Sequence, residues 1–137
     1  MTYDNQNIFA RIIRGELPAI KVYEDEQVLA FMDIMPQADG HVLVIPKTPA
    51  ITLLDLPAEA AAYTIQVVQK IANAMKTGLN VDGIVLMQLS GAAAGQTVPH
   101  VHFHLIPSSI HELGRHAIKM GDQEKIAALA ENIKAAL

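Results

Sequence analysis

The sequence predicts an α+β fold with a largely antiparallel sheet, and three observations carry that prediction. Segments with helical spacing and segments with two-residue alternation follow one another in the order helix, hairpin, strand, helix, two strands, helix. Turn-rich linkers separate them, and no repeat or low-complexity stretch breaks the order. At 137 residues, 51% of them hydrophobic and 18% charged, the chain is most simply one domain over 1–137 with length enough to bury a real core.

The elements follow in order. Residues 7–14 place Ile8, Phe9, Ile12 and Ile13 at helical spacing, and Gly15 is a natural stop. Residues 20–24 and 28–34 read as a hairpin around Glu24, Asp25 and Glu26. Three adjacent carboxylates could hold a cation, but a solvated turn is the simpler reading. Residues 36–40 are turn formers leading into a strand over 41–47, and a connector over 48–57 follows. A long helix is predicted over 58–79, where Tyr63, Val67, Ile71 and Met75 recur every four residues. Strands over 84–90 and 99–106 flank a small-residue loop, 91–98, and Pro107 closes the second strand. After a polar, irregular stretch, Asp122 can cap a last helix with Ile126, Leu129, Ile133 and Leu137 on one stripe. That stripe must cover either its own sheet or a second subunit.

Composition removes several function classes. The net charge of −4 argues against nonspecific nucleic-acid binding, which needs a basic face. No apolar run reaches the roughly 18 residues of a membrane span, and the N-terminal residues lack the basic-then-apolar order of a secretory signal. With no cysteine there is no disulfide and no thiolate metal site, which fits a cytoplasmic chain.

The most informative stretch is 100–107, where His100, His102 and His104 alternate with Val101, Phe103 and Leu105. On a β-strand the three imidazoles would share one face and the three apolar side chains the other. Half of the six histidines thus lie within five residues. One reading is a polar sheet face satisfied by hydrogen bonds. A second is a metal site. Positions i and i+2 lie roughly 6.6 Å apart and i and i+4 roughly 13 Å, while zinc needs imidazole nitrogens at ~2.0–2.1 Å. A straight strand therefore offers one metal two of these histidines, with His41 or another group as a further ligand. The third reading, which is preferred, is a nucleophilic or acid–base centre. Neutral imidazole is a nucleophile near neutral pH, and mutual repulsion of imidazolium charges keeps a cluster neutral. Such a group can attack phosphorus and split a displacement into two steps through a covalent adduct. Gly and Ala in loop 91–98 let backbone N–H groups approach phosphate oxygens, and Gln96 and Thr97 add neutral donors.

The run His100-Val101-His102-Phe103-His104-Leu105-Ile106 resembles the signature of the histidine triad (HIT) family of nucleotidyl hydrolases and transferases. The stretches 8–47 and 95–107 are similar to the family's N- and C-terminal halves, so the resemblance spans a core of about 7–107, with 108–137 as a C-terminal extension and helix. The adenosine phosphoramidase-type, Hint-like branch is the most similar. The resemblance implies a HIT-like fold and a cytoplasmic homodimer, formed through the long helix and a shared sheet, that binds an AMP-like purine nucleotide. It implies His102 as the nucleophile on the α-phosphorus, His100 orienting it chiefly through its backbone carbonyl, His104 contacting phosphate, and His41 as the fourth histidine. Asp33 matches the carboxylate that holds ribose hydroxyls, and Phe9, Leu17, Phe31, Ile34 and Leu43 match apolar positions around the base. Gln96, Thr97 and the Val98 amide match the phosphate-binding loop. The implied reaction needs no cofactor. A dinucleoside polyphosphate hydrolase, or a nucleotide-binding or interaction protein with incidental activity, are the alternatives.

The sequence also departs from the family. Asn7 and Ala10 stand where many bacterial relatives carry zinc-binding cysteines, and Pro49 stands where a further histidine ligand often lies, so no zinc is expected. Leu89 and Ser90 precede the small-residue loop where asparagine is common, leaving Ser90 as the candidate nucleotide contact there. Ser108 replaces an arginine of some relatives.

Overall fold

A computed structural model of the chain describes residues 2–113, 117 and 119–137; the rest of the stretch expected to be irregular, 114–116 and 118, lies outside the described residues. Its elements are α1 (Ile8–Ile13), β1 (Lys21–Glu24), β2 (Val28–Met32), β3 (Val42–Pro46), α2 (Ala58–Leu79), β4 (Val85–Met87), β5 (Phe103–Ile106) and α3 (Gln123–Ala135). The strands form one sheet in the order β1-β2-β3-β5-β4, and every neighbouring pair is antiparallel. The predicted α+β class therefore holds. Among the described residues, no helix is long and apolar enough to cross a membrane.

Alternation along the strands builds two cores. Val28, Ala30 and Met32 of β2, Val42 and Val44 of β3, and Phe103 and Leu105 of β5 join Val67, Val68, Ile71 and Met75 of α2 in one cluster. Leu29, Phe31, Leu43 and Ile45 point the other way, where they meet Phe9 and Ile12 of α1, with Ile13, Leu17, Ala19 and Val98 packed against them. A six-residue helix cannot persist alone. α1 holds because Phe9 and Ile12 are buried, and because the Asn7 side chain accepts the Ala10 N–H at 2.9 Å.

Helix α2 begins and ends where the periodicity places it, and stops at Asn80 in a left-handed conformation (φ 53°). Asp122 caps α3 as expected, accepting from the Glu124 and Lys125 amides. The stripe of α3 covers this chain's own main core: Ile126, Ala130 and Ile133 are buried there and Leu129 packs against it, whereas Leu137 is exposed.

Several expected boundaries move inward. β2 stops at Met32, because the Asp33 carboxylate accepts the Met35 amide and opens a turn. β4 is only three residues long. The largest change is at the histidine strand. Regular pairing covers Phe103–Ile106 alone, since the Val101 amide bonds to Ala50 O at 2.9 Å instead of continuing the ladder to β3. His100 and His102 therefore precede the strand.

The acidic turn between β1 and β2 is a structural knot. The Asp25 carboxylate accepts the Gln27 and Val28 amides, each at 2.8 Å, and the hydroxyls of Tyr23 and Tyr63, so it ties the hairpin to α2. Glu24 pairs with Lys21 and Lys47. Burial pushes the Asp25 carboxyl up, but the bonds from Tyr63, Gln27, Tyr23 and Val28 outweigh it and hold its pKa at about 2. A depressed carboxyl stabilises the fold above its unfolded value and loses that contribution as pH falls through the folded one. Asp25→Asn should therefore cost roughly 1–2 kcal/mol at pH 7, a figure kept low because the group is partly solvent-screened. Urea unfolding at pH 7 and pH 3 checks this. The gap between wild type and variant should narrow as pH drops from near 3.8 toward about 2, and a gap independent of pH would contradict it.

Candidate functional site

The second face of the sheet carries the site. Residues 41, 43 and 45 share that face on and beside β3, while the Leu43–His104 pairing on β5 brings residues 102 and 104 to it. The β2–β3 connection closes at its base with the Asp33 N–H donating to His41 O at 3.0 Å, which sets Asp33 beside His41. A cavity of about 370 Å³ opens there, within the usual range for a small-molecule site. Its walls include Phe9, Phe31, Asp33, Ile34, His41, Leu43, Thr97, Val98, His102 and His104.

Ten sequence-predicted residues thus meet at one cavity, and the other four lie elsewhere. Leu17 packs against the α1-side cluster. Ser90 donates its hydroxyl to Gln88 Oε1 at 2.9 Å. Gln96 braces its own loop: its Oε1 accepts the Gly91 amide at 2.8 Å, and its Nε2 donates to Ile51 O at 2.7 Å and Val98 O at 2.9 Å. Gly91 and Gly95, at φ 99° and 104°, make the tight path around that amide. His100 is also off the cavity wall. Its ring is buried between Tyr3 Oη, 2.6 Å from Nδ1, and Pro46 O, 2.8 Å from Nε2. The expectation of three imidazoles on one face is corrected accordingly: two face the cavity, and the bend before β5 turns the third behind them.

Hydrogen bonds assign the ring protons. His102 Nδ1 lies 2.6 Å from His100 O. A carbonyl only accepts, so Nδ1 carries the proton and the neutral ring keeps its lone pair on Nε2. A second chain starts at the Gln37 backbone N–H, which donates to His41 Nδ1 at 3.0 Å. His41 must then donate from Nε2, which lies 2.9 Å from His104 Nδ1 and 3.5 Å from Asp33 Oδ2. With Nδ1 accepting, neutral His104 carries its proton on Nε2. One backbone amide therefore makes His104 a donor at Nε2, while one carbonyl makes His102 a nucleophile at Nε2. The two rings lie 4.9 Å apart, and Phe9 stands edge-on to His102, also at 4.9 Å. His100 is held neutral by burial, which pushes its pKa down against the raising effect of the Pro46 carbonyl.

The same logic tests the metal reading. Asp33, His41 and His104 each offer a ligand atom within 4.8 Å of the others. A metal on His41 Nε2 would require the ring proton at Nδ1, pointing at the Gln37 N–H. Metal-bound histidines normally donate from the other nitrogen to an acceptor, and here a donor faces it. The cluster fits a proton-ordered relay and does not fit a metal. At the N-terminal positions, the Asn7 amide is spent on the Asp4 carbonyl and the Ala10 amide, and Ala10 has no ligand atom.

Sequence reasoning missed Gln37, whose contribution is a backbone amide and leaves no trace in residue type, and Tyr3, remote from His100 in the chain. It also missed Met35 and Ala117 on the cavity wall.

Known proteins resemble this chain to different degrees. A Hit-like protein from Bartonella henselae, described as involved in cell-cycle regulation and solved with an unknown ligand, superposes with a TM-score of 0.92 at 49% identity over 100% of both chains. A zinc-bound histidine triad family protein from Mycobacterium smegmatis gives a TM-score of 0.81 at 38% identity, over 96% of this chain and 92% of that one. An adenosine 5'-monophosphoramidase of Saccharomyces cerevisiae is 40% identical over 113 residues, which is 82% of this chain and 69% of the yeast protein. The family described as HIT domain matches residues 14–111, a span that holds every histidine of the cavity, the strands β3 and β5 on or beside which they lie and the helix packed behind, so the chain belongs to the HIT domain family.

Proposed function

We propose that this protein is a nucleotide-binding hydrolase and nucleotidyl transferase acting at the α-phosphate of purine nucleoside phosphoramidates and related nucleotides. The observation that carries the reading is the 2.6 Å contact between His102 Nδ1 and His100 O, which leaves the His102 lone pair on Nε2 at the cavity wall. That nitrogen attacks the α-phosphorus. The bond from phosphorus to the leaving nitrogen breaks, that nitrogen takes a proton from solvent and departs as the free amine, and a nucleotidyl-histidine remains. Water then attacks the same phosphorus, gives up a proton, and returns His102 with release of the nucleoside monophosphate. The His104 Nε2–H donates to a phosphate oxygen, where negative charge builds in the transition state. Asp33 accepts from the ribose hydroxyls. Phe9, Phe31, Ile34 and Leu43 enclose the base, and Thr97 and Val98 face the phosphate and leaving group.

Names of relatives agree with this chemistry, as the yeast protein is an adenosine 5'-monophosphoramidase. A cytoplasmic homodimer is part of the proposal: β4 is an edge strand with Leu86 exposed, and Ile65 of α2 is exposed as well. Native mass spectrometry after rapid mixing with an adenosine phosphoramidate reads both points. Two copies per particle and an added adenylyl mass mapping to His102 are expected. Turnover with the adduct on another residue would sink the mechanism.

A further inference from the structure

Behind the nucleophile lies a group that the reaction scheme does not use. Tyr3, in the segment before α1, is half-buried. Its hydroxyl is 2.6 Å from His100 Nδ1, and its ring meets the His100 ring edge-on at 5.6 Å and 68°. On the opposite side, His100 Nε2 lies 2.8 Å from Pro46 O, the last residue of β3. Since a carbonyl accepts, Nε2 carries the His100 proton and Nδ1 is the acceptor. The Tyr3 hydroxyl is therefore the donor. His100 is pinned from both ring nitrogens, one end by Tyr3 and the other by the sheet.

The consequence falls on His102. The backbone carbonyl that takes the His102 Nδ1 proton belongs to His100. No regular strand pairing holds that carbonyl, because β5 begins only at Phe103. Its position depends on the Val101 amide bonded to Ala50 and on the pinned His100 ring. We propose that Tyr3 is a positioning residue for the nucleophile: through His100 it fixes the carbonyl that sets the tautomer and aim of His102. This rests on the catalytic reading of His102 given above. Tyr3 touches neither the cavity nor any atom that would react, so its effect belongs in the rate of the chemical step and not in nucleotide binding.

The test uses Tyr3→Phe, which keeps the ring packing and removes only the donor, beside Tyr3→Leu and His102→Ala. Steady-state kinetics on an adenosine phosphoramidate should show kcat falling roughly tenfold in Tyr3→Phe with KM changed less than about twofold. Histidine ¹⁵N spectra should show His102 as a single Nδ1–H tautomer in the wild type and as a mixture in Tyr3→Phe. Tyr3→Leu, which also loses the ring, should lose more kcat than Tyr3→Phe. Unchanged kcat together with an unchanged His102 tautomer in Tyr3→Phe would overturn the proposal. So would a parallel loss of kcat, KM and melting temperature, which marks a merely structural role. If His102→Ala kept full turnover, the catalytic reading would fail instead, and the ¹⁵N spectra would still decide whether Tyr3 orders the His102 ring.

Discussion

His102→Ala should lower phosphoramidate turnover by roughly 10⁴-fold or more, equivalent to about 5 kcal/mol of transition-state stabilisation. The magnitude follows because no other histidine among the described residues offers a substitute at the cavity. His104, the neighbouring ring at 4.9 Å, has its Nδ1 occupied by His41 and its proton on Nε2, so the nitrogen left to it is a donor. His41 is in the same position one step back, with Nδ1 taken by the Gln37 amide. Reversing His104 would set its Nδ1–H against the His41 Nε2–H, and reversing His41 would set its Nδ1–H against the Gln37 N–H. His100 has both ring nitrogens engaged off the cavity. The variant should still bind a purine nucleoside monophosphate within a few-fold of wild type, because Asp33 and the apolar wall of Phe9, Phe31 and Leu43 are untouched. Calorimetric titration beside single-turnover kinetics separates the two quantities. Turnover within tenfold of wild type would remove His102 from the nucleophile's place, whereas loss of binding alone would make it a ligand contact.

What the residues reveal unaided depends on how local the cause is. Helix α2 is legible to its ends because its apolar side chains repeat with the helix and its boundaries need no distant partner. The Asp122 cap is legible for the same reason. Strand β5 is legible only in part. Alternation predicts 99–106, but the amide of Val101 finds Ala50, a partner about fifty residues earlier that no pattern in the run discloses. The site shows the same division. His102 and His104 stand out by type and spacing and His41 only through the family resemblance, whereas the atoms that give them different chemistry, Gln37 N and His100 O, are backbone and anonymous in sequence. Gln96 shows the opposite case: its side chain looks like a phosphate donor, and folding commits both ends of its amide to its own loop and to Ile51.

The largest stability effect is expected at Gly78, whose importance the sequence conceals because a glycine near a helix end reads as a weak position or a stop. Helix propensity alone would make Gly78→Ala favourable by about 1 kcal/mol. The packing says otherwise. A Cβ at Gly78 would lie 2.2 Å from the Asn132 carbonyl oxygen, 2.7 Å from its carbon and 3.0 Å from Ile133 Cα. These are backbone atoms of α3, so no rotamer change can relieve the clash and the helix itself must retreat. Retreat uncovers Ile133 and Ala130, which are fully buried or nearly so, and the cost of overpacking exceeds the propensity gain. A net loss of roughly 2–4 kcal/mol follows, or a melting temperature lower by about 10 °C for a chain of this size. The displacement also reaches the site. α3 and the residue before its cap hold the Asp33–His41 connection through Lys125 Nζ to Asp39 Oδ2 at 2.8 Å and the Gly121 N–H to Ile34 O at 3.1 Å. Nucleotide affinity should therefore weaken in Gly78→Ala while the His102 adduct still forms at saturating substrate. Gly83→Ala is the matched control, since a Cβ there meets nothing within 4 Å, and its unfolding midpoint should stay near that of wild type. If Gly78→Ala melted as high as Gly83→Ala, α3 would yield at no cost and the close approach of the two helices would carry none of the stability assigned to it.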